Sequence, residues 1–535
     1  MAIDPQEVHP DDVPTIALGG SGGGLRAMIT VLGFCNESKK AKLWDTFTYV
    51  AGTSGSCWSL AAYYTFGEAS MSKVIEHCKH RLHPHHPFSY HAIRELLTKG
   101  AYATLGPLIQ KRKSGLNTVA MDFYSVLTTG YLFLHKDPAL TPGGPGLDTK
   151  KEVAGYHSEW FKWSNALLQD GKQPLPILTA VRHERPWITS GVMQDSWFQW
   201  FEMTPFEVGC DELQAWVPTW GFGRPFYGGK SQTQLPEQSL ALLLGLCTSA
   251  PAAHLKSYVD VIERNLSSGF FGNLIRAIAR RVTTFWGEQG MRIFQMHHPI
   301  HACNEHNFLF RLNANDKSKS ETDADLSIAQ FPRLHLIDAG VDNNCPTYVL
   351  LHPSRKVDVI ITVDASSDVR RNLFQTNINR IGSRRKLQFC KRSSPKKDGS
   401  TNESGCLKDM YAQIYDGTIM EHRPETVVDL YGNVIVNPPA PPSKKDCTMI
   451  YVPLLPNENA VKGFDPLTAK FARSFNLIWT PEQVESLTQV AAANFREGEE
   501  TIKAVLLETW LKKKAMRESR GDSLSTTQKI NEAVR

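Results

Sequence analysis

No uncharged apolar run among the 535 residues approaches the roughly 18 to 20 needed to cross a bilayer, so a spanning helix is not expected. The opening residues, MAIDPQEVHPDDVP, are polar and acidic and lack the apolar stretch of a secretory signal. The ten cysteines form no CxxC pair and no short-spaced framework, which argues against a zinc ribbon or a disulfide scaffold and for reduced thiols. Charge of one sign is scarce as well. Lys and Arg number 59 against 54 Asp and Glu, and a net +5 spread over this length makes no basic face for nucleic acid. No internal repeat and no acidic EF-hand-type loop is found. What remains is an ordinary globular balance, 41% hydrophobic and 21% charged, in a chain long enough for one large or two intimately joined domains.

The organisation is that of an α/β protein. PTIALG at 14–19 is a short apolar run ending in a glycine-rich turn, and LRAMITVLGF follows with the pattern of a buried helix. FTYVAG at 47–52 again reads as a strand, and GTSGSCWSLAAYY turns at once into a second helix. This βαβα order predicts a parallel sheet with helices on both faces. A mainly helical stretch spans about 67–173, ahead of a strand at 175–181, and LHLIDAG at 334–340 and VDVIITVDAS at 357–366 read as further central strands. Residues 382–406 and 437–446, rich in Pro, Ser, Gly and Lys, read as loops or mobile insertions. Thr480-Pro481-Glu482-Gln483 has the form of a capping box opening a helix on Val484, Leu487, Val490 and Ala491.

Three elements carry chemistry. Gly52-Thr53-Ser54-Gly55-Ser56 lies between a strand and a helix, the setting of a nucleophile elbow, with Ser56 where the usual G-x-S-x-G has glycine. GGSGGGLRAM at 19–28 offers successive glycine N–H groups at a helix start, suited to an oxyanion. Gly22, Gly24 and Ala27 also fit G-x-G-x-x-A with Asp45 downstream, a dinucleotide pattern. Yet Asp45 precedes FTYVAG, whereas a ribose-binding acid should end that strand. The third element is Asp338, closing LHLID and followed by the small residues Ala339 and Gly340.

SGGGLRAM, GTSGS and DAG, in this order and with Arg26 shortly before Ser54, resemble the catalytic domain of the cytosolic (group IV) phospholipase A2 family, whose fold is related to patatin. WFEMTPFEVG, HNFLFRL and FDPLTAKFARSFNLIW extend the likeness through nearly the whole chain. The resemblance implies a three-layer α/β sandwich with a central, mostly parallel sheet and a helical cap. It implies Ser54 as nucleophile, Asp338 as general base of a dyad without histidine, Gly23 and Gly24 as oxyanion donors, and Arg26 on the substrate phosphate. It further implies glycerophospholipid or lysophospholipid ester hydrolysis through an acyl-enzyme, with no metal or organic cofactor and no nucleic-acid partner. The expected division is a polar segment at 1–13, a catalytic domain at 14–512 with a cap insertion around 210–330 and a mobile insertion around 382–446, and a polar tail at 513–535. With about a dozen residues ahead of the first strand, no calcium-binding C2 domain is expected, and a cytoplasmic enzyme docking peripherally on intracellular membranes without calcium is. The alternatives are a nucleotide-binding or regulatory protein that uses the glycine loop without ester chemistry, and a Ser-His-Asp esterase with His352 as the third member.

Weaker signals are carried forward. His77, His80, His83, His85 and His86 crowd together, but Pro84 interrupts the helix and no recognised metal spacing results. Residues 266–286 form a basic amphipathic pattern that fits either a bilayer surface or a buried cap helix. The basic run through Arg384, Arg385, Lys386, Lys391, Arg392, Lys396 and Lys397 reads as a membrane attractant or a solvated loop.

Overall fold

The computed structural model describes residues 8–99, 101–134, 162–182, 198–249, 303–312, 328–392, 410–420, 427–428, 434–435 and 445–520. Its framework is a sheet whose middle five strands run parallel in the order β16 (Lys445–Pro453), β11 (Val359–Asp364), β1 (Ile16–Gly20), β2 (Phe47–Gly52) and β3 (Leu175–Arg182). β1 and β11 are buried at every position, as strands covered on both faces must be. The flanks are antiparallel. β4 (Trp200–Met203), β5 (Glu207–Cys210) and β6 (Ala215–Pro218) extend the sheet beyond β3, and β13 (Gln413–Ile419) and β12 (Leu387–Lys391) extend it beyond β16. β9 (Cys303–His306) and β10 (Arg333–Asp338) pair with each other, and β10 pairs with β3. Two hairpins stand apart, β7 (Phe226–Tyr227) with β8 (Lys230–Ser231), and β14 (Val427–Val428) with β15 (Val434–Ile435).

Adjacent residues of β1 show how helices sandwich the sheet, because neighbouring Cβ positions point to opposite faces. A methyl at Gly20 would lie 2.9 Å from Val31 of α1 (Leu25–Lys40), and one at Gly19 would lie 3.2 Å from Leu350 of the short helix Thr347–Leu350. The glycines let both helices approach the strand. α2 (Gly55–Tyr64) follows β2, and α3 (Met71–Arg81), α4 (Tyr90–Lys99), α5 (Ala101–Lys113), α6 (Ala120–Phe133) and α7 (Leu240–Thr248) supply the helical stretch beside it. α8 is Thr347–Leu350, α9 is Asp368–Arg371, α10 is Phe374–Ser383, and α11 runs 39 residues from Pro481 to Ser519. The Thr480 and Gln483 side chains cap α11 reciprocally, as the capping box requires. Its apolar face packs on α1, with Phe34 and Phe495 edge to face at 5.0 Å.

Four expectations change. β10, expected as a further central strand, lies off the main run of strands and pairs antiparallel with β3 and β9. The segment around 382–446 expected as a mobile insertion supplies the end of α10 and strands β12 and β13. Residues 210–218, assigned to the cap, belong to the sheet's outer strands β5 and β6. The tail does not start at 513: α11 continues to Ser519, where Lys513 pairs with Asp358 at 2.8 Å and Arg517 clasps the buried Asp12 at 2.7 and 2.9 Å. Polar residues there are ion-paired, which polarity of sequence alone does not reveal. The amphipathic segment 266–286 lies outside the described residues. No described helix is long and apolar enough to cross a membrane.

Candidate functional site

Sheet register brings two of the expected residues together. Parallel β2 and β3 pair Gly52 with Leu178, after which β2 turns away, and β10 takes over the vacated edge of β3 with Asp338 opposite Ala180. Ser54, two residues past Gly52, is thus level with Asp338. Two residues of strand are about 7 Å, so Asp338 joins β3 about that far beyond the last β2 pairing.

Ser54 sits at φ 52° and ψ −120°, a left-handed backbone that a serine adopts only when its surroundings enforce it. Those surroundings are close. Thr53 N–H donates to Gly20 O at 3.0 Å, the Ser56 hydroxyl donates to Ser21 O, and a methyl at Gly22 would lie 3.3 Å from Ser54 Cβ. Ser54 forms the N-cap of α2, and Gly24, at φ 63°, forms that of α1. Two helix N-termini, each favouring negative charge, therefore meet at one point. Among the described residues the N–H groups of Gly23 and Gly24 have no acceptor, and the Ser54 hydroxyl makes no hydrogen bond.

Asp338 is fully buried; its Oδ1 accepts the Gly340 N–H at 2.8 Å, and its own N–H donates to Ser249 Oγ at 3.1 Å. Tyr124 feels it: burial first, then the Asp338 charge, holds that phenol well above its ordinary range. Asn344 ties the parts together, and nothing in the sequence singled it out. Its carbonyl accepts Gly22 N–H at 2.8 Å and its Nδ2 donates to Asp368 Oδ2 at 2.8 Å. Its Oδ1 lies 2.9 Å from where a Gly22 methyl would stand and 3.3 Å from a Gly340 methyl.

Arg26 is 5% exposed, with Nε donating to Ala365 O at 2.7 Å and Nη1 to Ala472 O at 3.0 Å. Nη2 is buried and has no acceptor among the described residues. Burial lowers the guanidinium pKa, opposed by the nearby Asp364 carboxylate. Asp364 is itself pushed up by burial, and the Tyr451 hydroxyl donates to it at 3.1 Å.

The rival residues lie elsewhere. His352 Nε2 is 2.9 Å from Asp211 Oδ1 and its Nδ1 accepts Ser354 N–H, beside Asp358 and the entry to β11. That is the N-terminal edge of the sheet, about 20 Å of strand from Ser54. Asp45 lies in the 3-10 turn Trp44–Thr46 ahead of β2, also at the far end from the glycine turn. The histidine cluster is divided: His77 bonds Leu132 O at 2.7 Å, His80 faces Glu76 at 3.0 Å, and His86 accepts Phe88 N–H at 3.3 Å. No described group of three or more His, Cys, Asp or Glu side chains is arranged to hold a metal.

A strained serine between strand and helix, facing a glycine turn on a mixed α/β sheet, is the architecture of the serine acyl-hydrolase class. Residues 16–380 match the family model described as the lysophospholipase catalytic domain. Mouse cytosolic phospholipase A2 gamma is 32% identical over 49% of this chain and 38% of its own length. Mouse cytosolic phospholipase A2 delta is 25% identical over 67% and 43%, respectively. The solved structure of human GIVD cytosolic phospholipase A2 superposes with a TM-score of 0.61 at 18% identity, covering 94% of this chain and 63% of that one. The chain belongs to the lysophospholipase catalytic domain family, and its matches span about two fifths of these curated relatives' lengths.

Proposed function

We propose that this chain hydrolyses acyl esters of glycerophospholipids or lysophospholipids, with Ser54 as nucleophile and Asp338 as its base. The observation that carries the proposal is the left-handed Ser54 at the β2–β10 seam, level with a buried carboxylate and crowded by the glycine turn. The Ser54 hydroxyl gives its proton to Asp338 as Oγ attacks the ester carbonyl. The oxyanion that forms is met by the N–H groups of Gly23 and Gly24 at the start of α1. Collapse expels the alcohol, which takes the proton from Asp338, and leaves an acyl-Ser54 ester. Water, deprotonated by the same carboxylate, then releases the acid. Arg26, already held by two carbonyls, directs its unengaged Nη2 to the substrate phosphate.

Nucleophile, base, oxyanion donors and phosphate ligand are all groups of this chain, so the proposed chemistry calls on no calcium and no organic cofactor. The proposed setting is the cytoplasmic surface of intracellular membranes. In its support, the curated relatives carry "cytosolic" in their names. A relative has been solved with methyl gamma-linolenyl fluorophosphonate, a reagent for activated serines. Its use here is the test: labelling of Ser54, found by peptide mass spectrometry and abolished in Ser54→Ala, is expected. Nucleotide binding without labelling would establish the alternative instead.

A further inference from the structure

On the edge of the sheet opposite Ser54, where β11 and β16 begin, the described residues enclose a cleft of about 600 Å³. It is unrelated to the chemistry proposed above, and its lining is lopsided in charge. Lys356, Arg384, Arg385 and Lys386 are cationic and Asp358 is the acid among the lining residues. Asp358 is already engaged, accepting from Lys513 Nζ and from Thr15 N–H, both at 2.8 Å. Arg384 and Arg385 stack over Tyr348 at 4.0 and 3.8 Å and are paired with Asp342, Glu212 and Asp211 behind them. That backing fixes the two guanidinium groups, and Arg385 Nε, in a side chain 9% exposed, is buried with no acceptor among the described residues.

The uncompensated charge is on the two lysines, neither of which pairs with a carboxylate among the described residues. Both occupy left-handed turns, Lys356 at φ 47° and Lys386 at φ 57°, where glycine or asparagine is the easier residue. Apart from His352, which is paired with Asp211, the remaining wall is largely apolar and includes Leu351, Leu387 and Ile419. A cleft of this volume with cationic side chains and an apolar wall has the size and make-up of a small-molecule site.

We infer that this cleft binds a phosphate monoester group through Lys356 and Lys386, with the apolar part of its carrier against Leu351, Leu387 and Ile419. A phosphate monoester carries close to two negative charges at neutral pH and several acceptor oxygens, which suits two ammonium groups better than a carboxylate does. The carrier is either a membrane lipid or a soluble metabolite, and the two are separated by experiment.

The test uses the full chain with phosphatidylcholine vesicles with and without phosphatidic acid, and glycerol 3-phosphate as the soluble head group. Lys356→Gln/Lys386→Gln should weaken phosphatidic-acid-dependent vesicle binding by roughly thirtyfold, from two cationic contacts. Cleavage of a soluble short-chain ester, or Ser54 labelling should that activity be absent, should be unchanged. If the double variant is unstable, the unsubstituted chain decides: Lys356 and Lys386 should be protected from an amine-acylating reagent by phosphatidic acid vesicles. Added protection by glycerol 3-phosphate identifies a head-group site, and protection by the lipid alone identifies one that needs the apolar carrier. Equal vesicle binding by the double variant, no protection by either probe, or equal protection by sulfate at matched ionic strength would each overturn the inference.

Discussion

Gly55→Ala isolates the geometry of the proposed oxyanion site from every other property of the elbow. Gly55 is the first residue of α2 and needs no left-handed backbone, so a helix would accept alanine there and even favour it by about 1 kcal/mol. The one objection is steric: the new methyl would stand 2.0 Å from Gly24 O, 2.7 Å from its carbonyl carbon and 3.0 Å from its Cα. No side-chain rotation relieves a clash with backbone. Ordinary contact begins near 3.4 Å, so α2 and the glycine turn must part by about 1.4 Å, and a 1 Å misplacement of catalytic groups already costs about a hundredfold. Overpacking typically costs about 1 to 3 kcal/mol, and the gain in helix propensity offsets part of it, so the protein should stay folded. The expected result is a kcat for a short-chain aryl ester down by about a hundredfold or more, with a small shift in melting temperature. Fluorophosphonate labelling of Ser54 should slow in parallel. A folded Gly55→Ala protein with kcat within about threefold of the parent would falsify the claim that the Gly24 region serves the reacting atoms.

The remaining predictions concern the proposed dyad, the arginine and two histidines. Ser54→Ala and Asp338→Ala should each lower turnover by about 10⁴ or more, with the double variant little worse, while His352→Ala stays near parental; comparable losses at His352 and Ser54 would restore a triad. Arg26→Ala should depress phospholipid cleavage far more than cleavage of a neutral aryl ester, with Lys rescuing only partly for want of the fork; equal losses on both substrates would make Arg26 structural. Burial pushes the His86 imidazole down to about 4 from an ordinary 6.5. A depressed folded value means stability that is complete above about 6.5 and lost as pH falls toward 4, about 3 kcal/mol in all. His86→Gln keeps an acceptor for Phe88 N–H but does not titrate, so its urea midpoint should fall less over that window; parallel pH profiles for parent and variant would refute the assignment.

The parts legible in the sequence were those specified locally. Strand, glycine turn and helix at 16–40, the elbow at 47–64 and the cap at Thr480 each follow from residues within a few positions of one another. What stayed hidden depends on partners hundreds of residues away. β10 looks like any buried strand until Ala180 shows that it runs antiparallel. Arg384 and Arg385 read as a solvated basic run, and only the fold brings Asp211, Glu212, Asp342 and the Tyr348 ring to them. The same holds for the last turns of α11, whose lysine and arginine find Asp358 and Asp12 across the chain. Asn344 had no signal at all, since its role lies in touching the Gly22 and Gly340 turns at once.

The handover from β2 to β10 along one edge of β3 bears on how this architecture tolerates change in chain length. A residue carried on a loop shifts whenever the loop grows or shrinks. Asp338 instead is the last rung of a ladder, its height set by the Arg182, Val181 and Ala180 pairings and its backbone moored to Ser249. Segments entering before Arg333 can therefore lengthen or shorten without moving the carboxylate, provided the ladder is kept. Ser54 is fixed in the same way by the β2 pairings that end at Gly52. With both anchored beside β3, the spacing of Ser54 and Asp338 is set by the strand pairings and not by the length of the segments between them.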